Sequence, residues 1–169
     1  MAIRRVADVD WASWTPTDLA TLTFVIREGR MLLIRKKRGL GAGKISAPGG
    51  RLERCESWRD CAVREVEEEL CITPLDPIQV GWNRFQFVDG YAIHVGIFRA
   101  SSFRGTPTET AEADPLWADL DALPYEEMWA DDPLWVPLVV AGRPFSGHFV
   151  FDGEVMLDHA IEMLAANPH

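Results

Sequence analysis

Two pairs of short apolar runs stand out along the chain: LTFVI (22–26) with MLLIR (31–35), and RFQFV (84–88) with YAIHVGIF (91–98). The first pair flanks Glu28-Gly29 and the second Asp89-Gly90. Runs rich in β-branched and aromatic residues on either side of an x-Gly pair predict two β-hairpins. Between them the period changes. At about 100° per residue, Val63, Val66 and Leu70 fall on one arc of a helix, and Glu65, Glu68 and Glu69 on another. This predicts an amphipathic helix that buries an apolar face and presents three carboxylates on a separate one. Ser57 followed by Asp60 is a capping-box variant, so the helix is expected to start at Ser57 as N-cap, with Glu56 just outside it. That start leaves Gly49 and Gly50 in a loop, where the backbone can pass close to an ion or a phosphate. A second helix is expected to begin near Asp131 or Asp132, with Pro133 in its first turn, and to run through Trp135 to Val140; Pro137 should perturb its second turn. No internal repeat or low-complexity tract interrupts the pattern.

The carboxylate arc carries the chemistry. Three like charges so close raise one another's pKa values unless something positive sits among them, and a divalent cation offsets that repulsion most directly. Oxygen-only ligands favour a hard ion, Mg²⁺ or Mn²⁺.

The spacing Gly50, five residues, Glu56, seven residues, Arg64-Glu65-Val66-Glu67-Glu68-Glu69-Leu70-Cys71-Ile72 resembles the Nudix box, G-x5-E-x7-R-E-U-x-E-E-x-G-U, where U is bulky and apolar. Cys71 alone departs, standing where the family has a glycine just past the helix, a common left-handed cap position. Further segments, 35–43, 104–109, 128–135 and 145–153, are similar to the MutT-type branch that hydrolyses oxidised purine nucleoside triphosphates, and the likeness runs from about Thr21 to Leu164.

The resemblance implies an α/β/α sandwich around a mixed sheet. It implies that the Gly49 carbonyl, Glu65, Glu68, Glu69 and the outlying Glu112 bind one or more divalent ions, and that water attacks a phosphorus with pyrophosphate leaving. Glu65, Glu68 or Glu112 takes the proton, with Glu65 ranked first. Arg64 is expected to point away from the carboxylate arc and to pair with Glu56. Trp129 is expected to pack on a purine, and Asp131 and Asp132 to bond its edge. Thr21, Phe85 and Ile93 sit at other pocket positions, although Phe85 and Ile93 read equally well as core strand residues. Arg51 and Lys36 are candidates for phosphate or sugar contact; Lys36, in an Arg-Lys-Lys-Arg run, also reads as solvated surface charge. Ser46 stands where the branch has an asparagine that reads the base, and Leu40 where it has a phenylalanine, so the preferred base can differ. Two rivals share the pattern: a Nudix pyrophosphatase for another nucleotide, such as a nucleotide sugar, an ordinary dNTP or a methylated purine nucleotide, and a non-catalytic Nudix ligand sensor.

Composition bounds the rest. A chain of 169 residues with 47% hydrophobic content suits one well-buried domain, expected over residues 20–169 after an N-terminal extension, 1–19. Trp11 and Trp14 in that extension are free to pack on the domain, cover the pocket or meet a second subunit. The net charge of −9 disfavours a nucleic-acid polymer as partner, while a free nucleotide can be met through a metal. Cys55, Cys61 and Cys71 read as reduced thiols, without the spacing of a zinc site. Neither a secretory leader nor a membrane span is legible, so a cytoplasmic monomer or homodimer is expected.

Overall fold

The computed structural model describes residues 2–165, so the outermost residues of the two expected segments, 1 and 166–169, lie outside the described residues. In chain order the elements are β1 (Asp18–Arg27), β2 (Arg30–Lys36), β3 (Ile45–Ser46), β4 (Gly49–Arg51), α1 (Trp58–Leu70), β5 (Thr73–Leu75), β6 (Ile78–Phe87), β7 (Ala92–Ala100), β8 (Ser102–Arg104), β9 (Ala113–Asp119), α2 (Asp132–Ala141), β10 (Phe145–Asp152) and β11 (Val155–Met163). Both expected hairpins form, β1 with β2 and β6 with β7. Glu28 and Gly29 turn the first with φ of 53° and 74°, the left-handed pair that a tight two-residue connection needs.

Nine strands form one mixed sheet in the order β11-β10-β6-β7-β1-β2-β3, with β4 on β1 and β9 on β2. β1 runs parallel to β7, and β6 parallel to β10. β5 and β8 make a separate ribbon. Period-two alternation sends neighbouring residues to opposite faces. Phe24 and Leu33 join a core with Trp135, Val136 and Val139 of α2, whereas Val25, Leu32 and Ile34 join a core with Val66 and Leu70 of α1. The helices therefore cover the two faces of the sheet, the α/β/α layering implied by the resemblance.

Helix α1 starts as expected, the Ser57 hydroxyl accepting from the Asp60 amide at 3.1 Å. Its buried stripe differs from expectation: Cys61, Ala62, Val66 and Leu70 are buried, with Glu65 and Glu69 among them, while Val63 is only half-buried and stands outside both cores. The apolar and acidic arcs are not separate faces. The helix lies close to the sheet along its small residues, and two carboxylates go down with them. Gly49 and Gly50 also depart from the reading. They form strand β4, with Thr21 opposite Gly50 and Leu22 opposite Gly49, rather than a loop. Glycine is required there by close approach: a Cβ on Gly49 would lie 1.9 Å from the Thr21 carbonyl oxygen, and one on Gly50 2.3 Å from the Glu65 carboxylate.

Helix α2 carries Pro133 in its first turn and continues through Pro137, which removes one ladder hydrogen bond without ending it. Cys71 caps α1 in the left-handed region, φ 60° and ψ 26°, its amide donating to the Glu67 carbonyl at 2.9 Å. Its side chain is exposed, so Cys71→Gly removes left-handed strain and no packing. Relief of roughly 1 kcal/mol, less about half of that for glycine's looser unfolded chain, should leave a net gain of a few tenths. The expected result is a small rise in melting temperature at unchanged turnover; a fall would refute the strain argument.

Candidate active site

A cavity of about 250 Å³ opens between β1, β4, the β6–β7 hairpin and the start of α2. Thr21, Lys36, Ser46, Gly49, Arg51, Phe85, Ile93, Trp129, Asp131 and Asp132 all line it. Phe85 and Ile93 pack against the core and also line the cavity, Phe85 stacking on Phe149 at 5.0 Å. Trp129 stands edge-on to Phe151 at 5.8 Å, with the Lys44 ammonium 5.3 Å from its ring centre. The loop before β3 closes on this indole through Gly41, where a Cβ would lie 2.8 Å from Trp129 Nε1. Ser46 donates its hydroxyl to the Ala47 carbonyl at 3.1 Å, and Leu40 is exposed at the rim.

Asp131 and Asp132 are 3% and 6% exposed, adjacent acids in an apolar setting. Burial raises both above the ordinary carboxylate value, and the charge of Asp131 raises Asp132 further. Trp135 Nε1 donates to Asp131 Oδ2 at 2.7 Å, which favours the anion there. Of the two, Asp132 is therefore the one whose acid form its surroundings favour more, beside a neighbour whose carboxylate accepts from an indole.

At the other end of the cavity, α1 carries Glu65 and Glu69 beneath β4, 9% and 4% exposed, with Glu68 exposed at the solvent edge. Arg64 does not point away from this arc. Its Nε and Nη2 bond both oxygens of Glu56, at 2.6 and 2.8 Å, as expected, but Nη1 reaches Glu65 at 2.8 Å and Glu68 at 3.2 Å. Nη2 also donates to the Arg51 carbonyl at 3.0 Å, tying helix to β4. A long side chain can swing back over its own helix, which the direction of its Cα–Cβ bond alone does not reveal. Hydrogen bonding by Arg64 draws the Glu56 carboxyl down to about 2. Glu112 pairs with Arg38 at 2.7 Å.

Among the described residues, no three acidic, histidine or cysteine side chains converge as a closed metal shell: Glu65 and Glu68 are turned to Arg64, and Glu112 to Arg38. The donor set nonetheless suits a hard cation. Glu69 has no salt bridge among the described residues and accepts only from the Gly49 amide at 3.3 Å. Burial, and then the Glu65 charge, push its carboxyl up to about 8. A divalent ion among these oxygens would remove that penalty.

Phe87, Tyr91, Trp135 and Phe151 also line the cavity and were not singled out from sequence. Phe87 was legible as the strand neighbour of Phe85, two residues on and so on the same face. Tyr91 had no such signal, because its place depends on how the hairpin tip folds over.

A NUDIX domain matches residues 16–139. The chain is 40% identical to the oxidized purine nucleoside triphosphate hydrolase of Danio rerio, over 85% of this chain and 94% of that protein. The protein of the same name from Mus musculus is 39% identical, over 85% of this chain and 93% of its own length. Among solved structures, a mutator MutT protein from Bacillus halodurans superposes with a TM-score of 0.78 at 25% identity, covering 86% of this chain and 97% of that one. With the family pattern spanning both helices and most of the sheet, and two relatives aligned over nearly their full length, the chain belongs to the Nudix family.

Proposed function

We propose that the protein hydrolyses purine nucleoside triphosphates, oxidised or otherwise modified ones included, to the monophosphate and pyrophosphate, and so cleanses the nucleotide pool. The observation that carries this reading is that one cavity joins an aromatic wall and a buried aspartate pair, fit for a purine edge, to the Gly49-Gly50-Arg51 strand and Lys36, fit for phosphates. The relatives' names point to the same chemistry. Nudix hydrolases generally use divalent ions; Mg²⁺, with Mn²⁺ as substitute, would be held by the Gly49 carbonyl, Glu65, Glu68, Glu69 and Glu112. When bound, the ion supplies charge to phosphate oxygens and acidifies water.

The chain's own groups do the rest. Trp129 and Phe85 enclose the base, excluding water from it. Asp131 accepts and Asp132 donates along its edge, while Thr21 and Ile93 limit where it can slide. Lys36 and Arg51 neutralise the triphosphate. Glu65 takes the proton of the attacking water, and Arg64, bridging Glu56 and Glu65, holds that carboxylate in place. Residues 20–169 act as a single domain with 1–19 as its extension, in a cytoplasmic monomer or homodimer. Among the described residues no helix is long and apolar enough to cross a membrane.

Ser46 and Leu40 favour a shifted base preference within this reading. A serine hydroxyl already given to Ala47 offers the base less than an asparagine amide does. The test is kcat/KM over 8-oxo-dGTP, 2-hydroxy-dATP, methylated purine dNTPs, the four ordinary dNTPs and several nucleotide sugars. Purines are expected to lead, with Ser46→Asn moving the ranking toward the oxidised base. Preference for sugars or pyrimidines would overturn the proposal, and so would absence of metal-dependent turnover.

A further inference from the structure

The wall of the base pocket formed by Phe87, Tyr91 and Ile93 sits at the tip of the β6–β7 hairpin, and the residues leading into β1, with its first residue Asp18, stitch that tip down. Trp14 Nε1 donates to Gln86 Oε1 at 2.8 Å. The Gln86 amide in turn donates to the carbonyls of Phe87, at 2.9 Å, and Tyr91, at 3.3 Å. Thr17 and Ala92 exchange two bonds, Thr17 N to Ala92 O at 2.7 Å and Ala92 N to Thr17 Oγ1 at 3.2 Å. The Tyr91 hydroxyl donates to Asp18 Oδ2 at 2.8 Å, and the same oxygen lies 3.6 Å from Arg51 Nη1. Gln86 is 8% exposed, so Trp14 meets a buried amide that has its other bonds committed to the pocket strand.

The segment is itself anchored. Val6 N donates to Asp158 Oδ2 at 2.8 Å, Trp11 packs on His148 at 4.4 Å, and the Arg84 guanidinium lies 5.4 Å from the Trp14 ring and 4.7 Å from Trp82. The side chains of Arg84 and Gln86 occupy the sheet face opposite Phe85 and Phe87, so the strap holds from behind the strand whose front forms the pocket.

We propose that residues 11–18 are a specificity-determining clamp, in which Trp14, Thr17 and Asp18 are positioning residues that fix the hairpin tip and so set the fit of a purine nucleotide's base. Through Asp18 the clamp also links the base wall, at Tyr91, to the phosphate side, at Arg51. This inference rests on the purine-nucleotide reading of the cavity.

The test uses the full chain carrying Trp14→Phe, which keeps a ring and loses the N–H, and Thr17→Val, which keeps the branched shape and loses the Oγ1 that accepts from Ala92 N. Each removes one hydrogen bond, so KM for the best purine nucleoside triphosphate should rise roughly 3–10-fold with kcat within about twofold. KM for a pyrimidine triphosphate should stay within about twofold, so purine selectivity falls. The double variant should lose less than the product of the single losses, since both act on one tip. General loosening of the fold would lower turnover of purine and pyrimidine substrates alike and would overturn the clamp. Unchanged purine KM in both single variants, with a wild type that favours purines, would overturn the clamp alone. A wild type without purine preference would overturn the pocket reading and the clamp together. If Trp14→Phe unfolds, Thr17→Val decides by the same criteria.

Discussion

Glu69→Gln is expected to lower kcat/KM by ~10²-fold or more in saturating Mg²⁺, since even groups one shell removed from a metal typically contribute 10–100-fold. Glutamine preserves the length and one oxygen of the side chain but not its charge, so the fold should hold while the hardest donor of the set is lost. Stability gives the second half of the test. Glu69 is 4% exposed, and its buried charge is unfavourable without a cation. The metal-free variant should therefore melt at or above the temperature of the metal-free wild type, and added Mg²⁺ should raise its melting temperature less than it raises the wild type's. Wild-type turnover, or an equal response of both proteins to Mg²⁺, would remove Glu69 from the ion.

Much of this site was legible because its signals are local. Ser57, Asp60 and the spacing of Glu65, Glu68 and Glu69 define a helix and its start within thirteen residues, and the observed cap agrees. The acidic pair Asp131-Asp132 likewise announces the start of α2. What escaped was set by packing between distant segments. The pair Gly49-Gly50 signals a loop until its partner, β1, is known; only then does close approach to the Thr21 carbonyl and the Glu65 carboxylate explain why no side chain fits. Val63 sits on the apolar arc of an isolated helix, yet the sheet approaches along Cys61 and Ala62, whose small side chains allow contact. Arg64 was misdirected for a related reason: four acceptors from three segments gather around a guanidinium that helical angle alone sends elsewhere. Trp14 carried no signal for its partner, because Gln86 lies seventy-two positions away.

Asp132→Asn is expected to stabilise the protein in proportion to pH while changing its choice of base. Burial first, and then the neighbouring Asp131 charge, hold the folded-state pKa of Asp132 well above 3.8. Such a raised carboxyl contributes its stability fully below the unfolded value, and that contribution is lost as pH rises through the folded value. Asparagine has the shape of the carboxyl without its proton, so it escapes this loss. The unfolding free energies of variant and wild type should be close at pH 4 and diverge above it, the gap widening by up to about 1.4 kcal/mol per pH unit until the folded carboxyl ionises. A gap equal at pH 4 and pH 8 would mean that Asp132 is ionised and locally compensated in the fold. The effect on substrates follows from the same proton. Asp132 donates only while protonated, and Asp131, held as an acceptor by Trp135, complements it; a fixed amide offers a donor whatever the base requires. Substrates whose edge needs an acceptor at that position should lose most in kcat/KM, and those that need a donor should lose least, with the Mg²⁺ requirement unaltered. A uniform loss across all purines would show that the pair holds the start of α2 rather than reads the base.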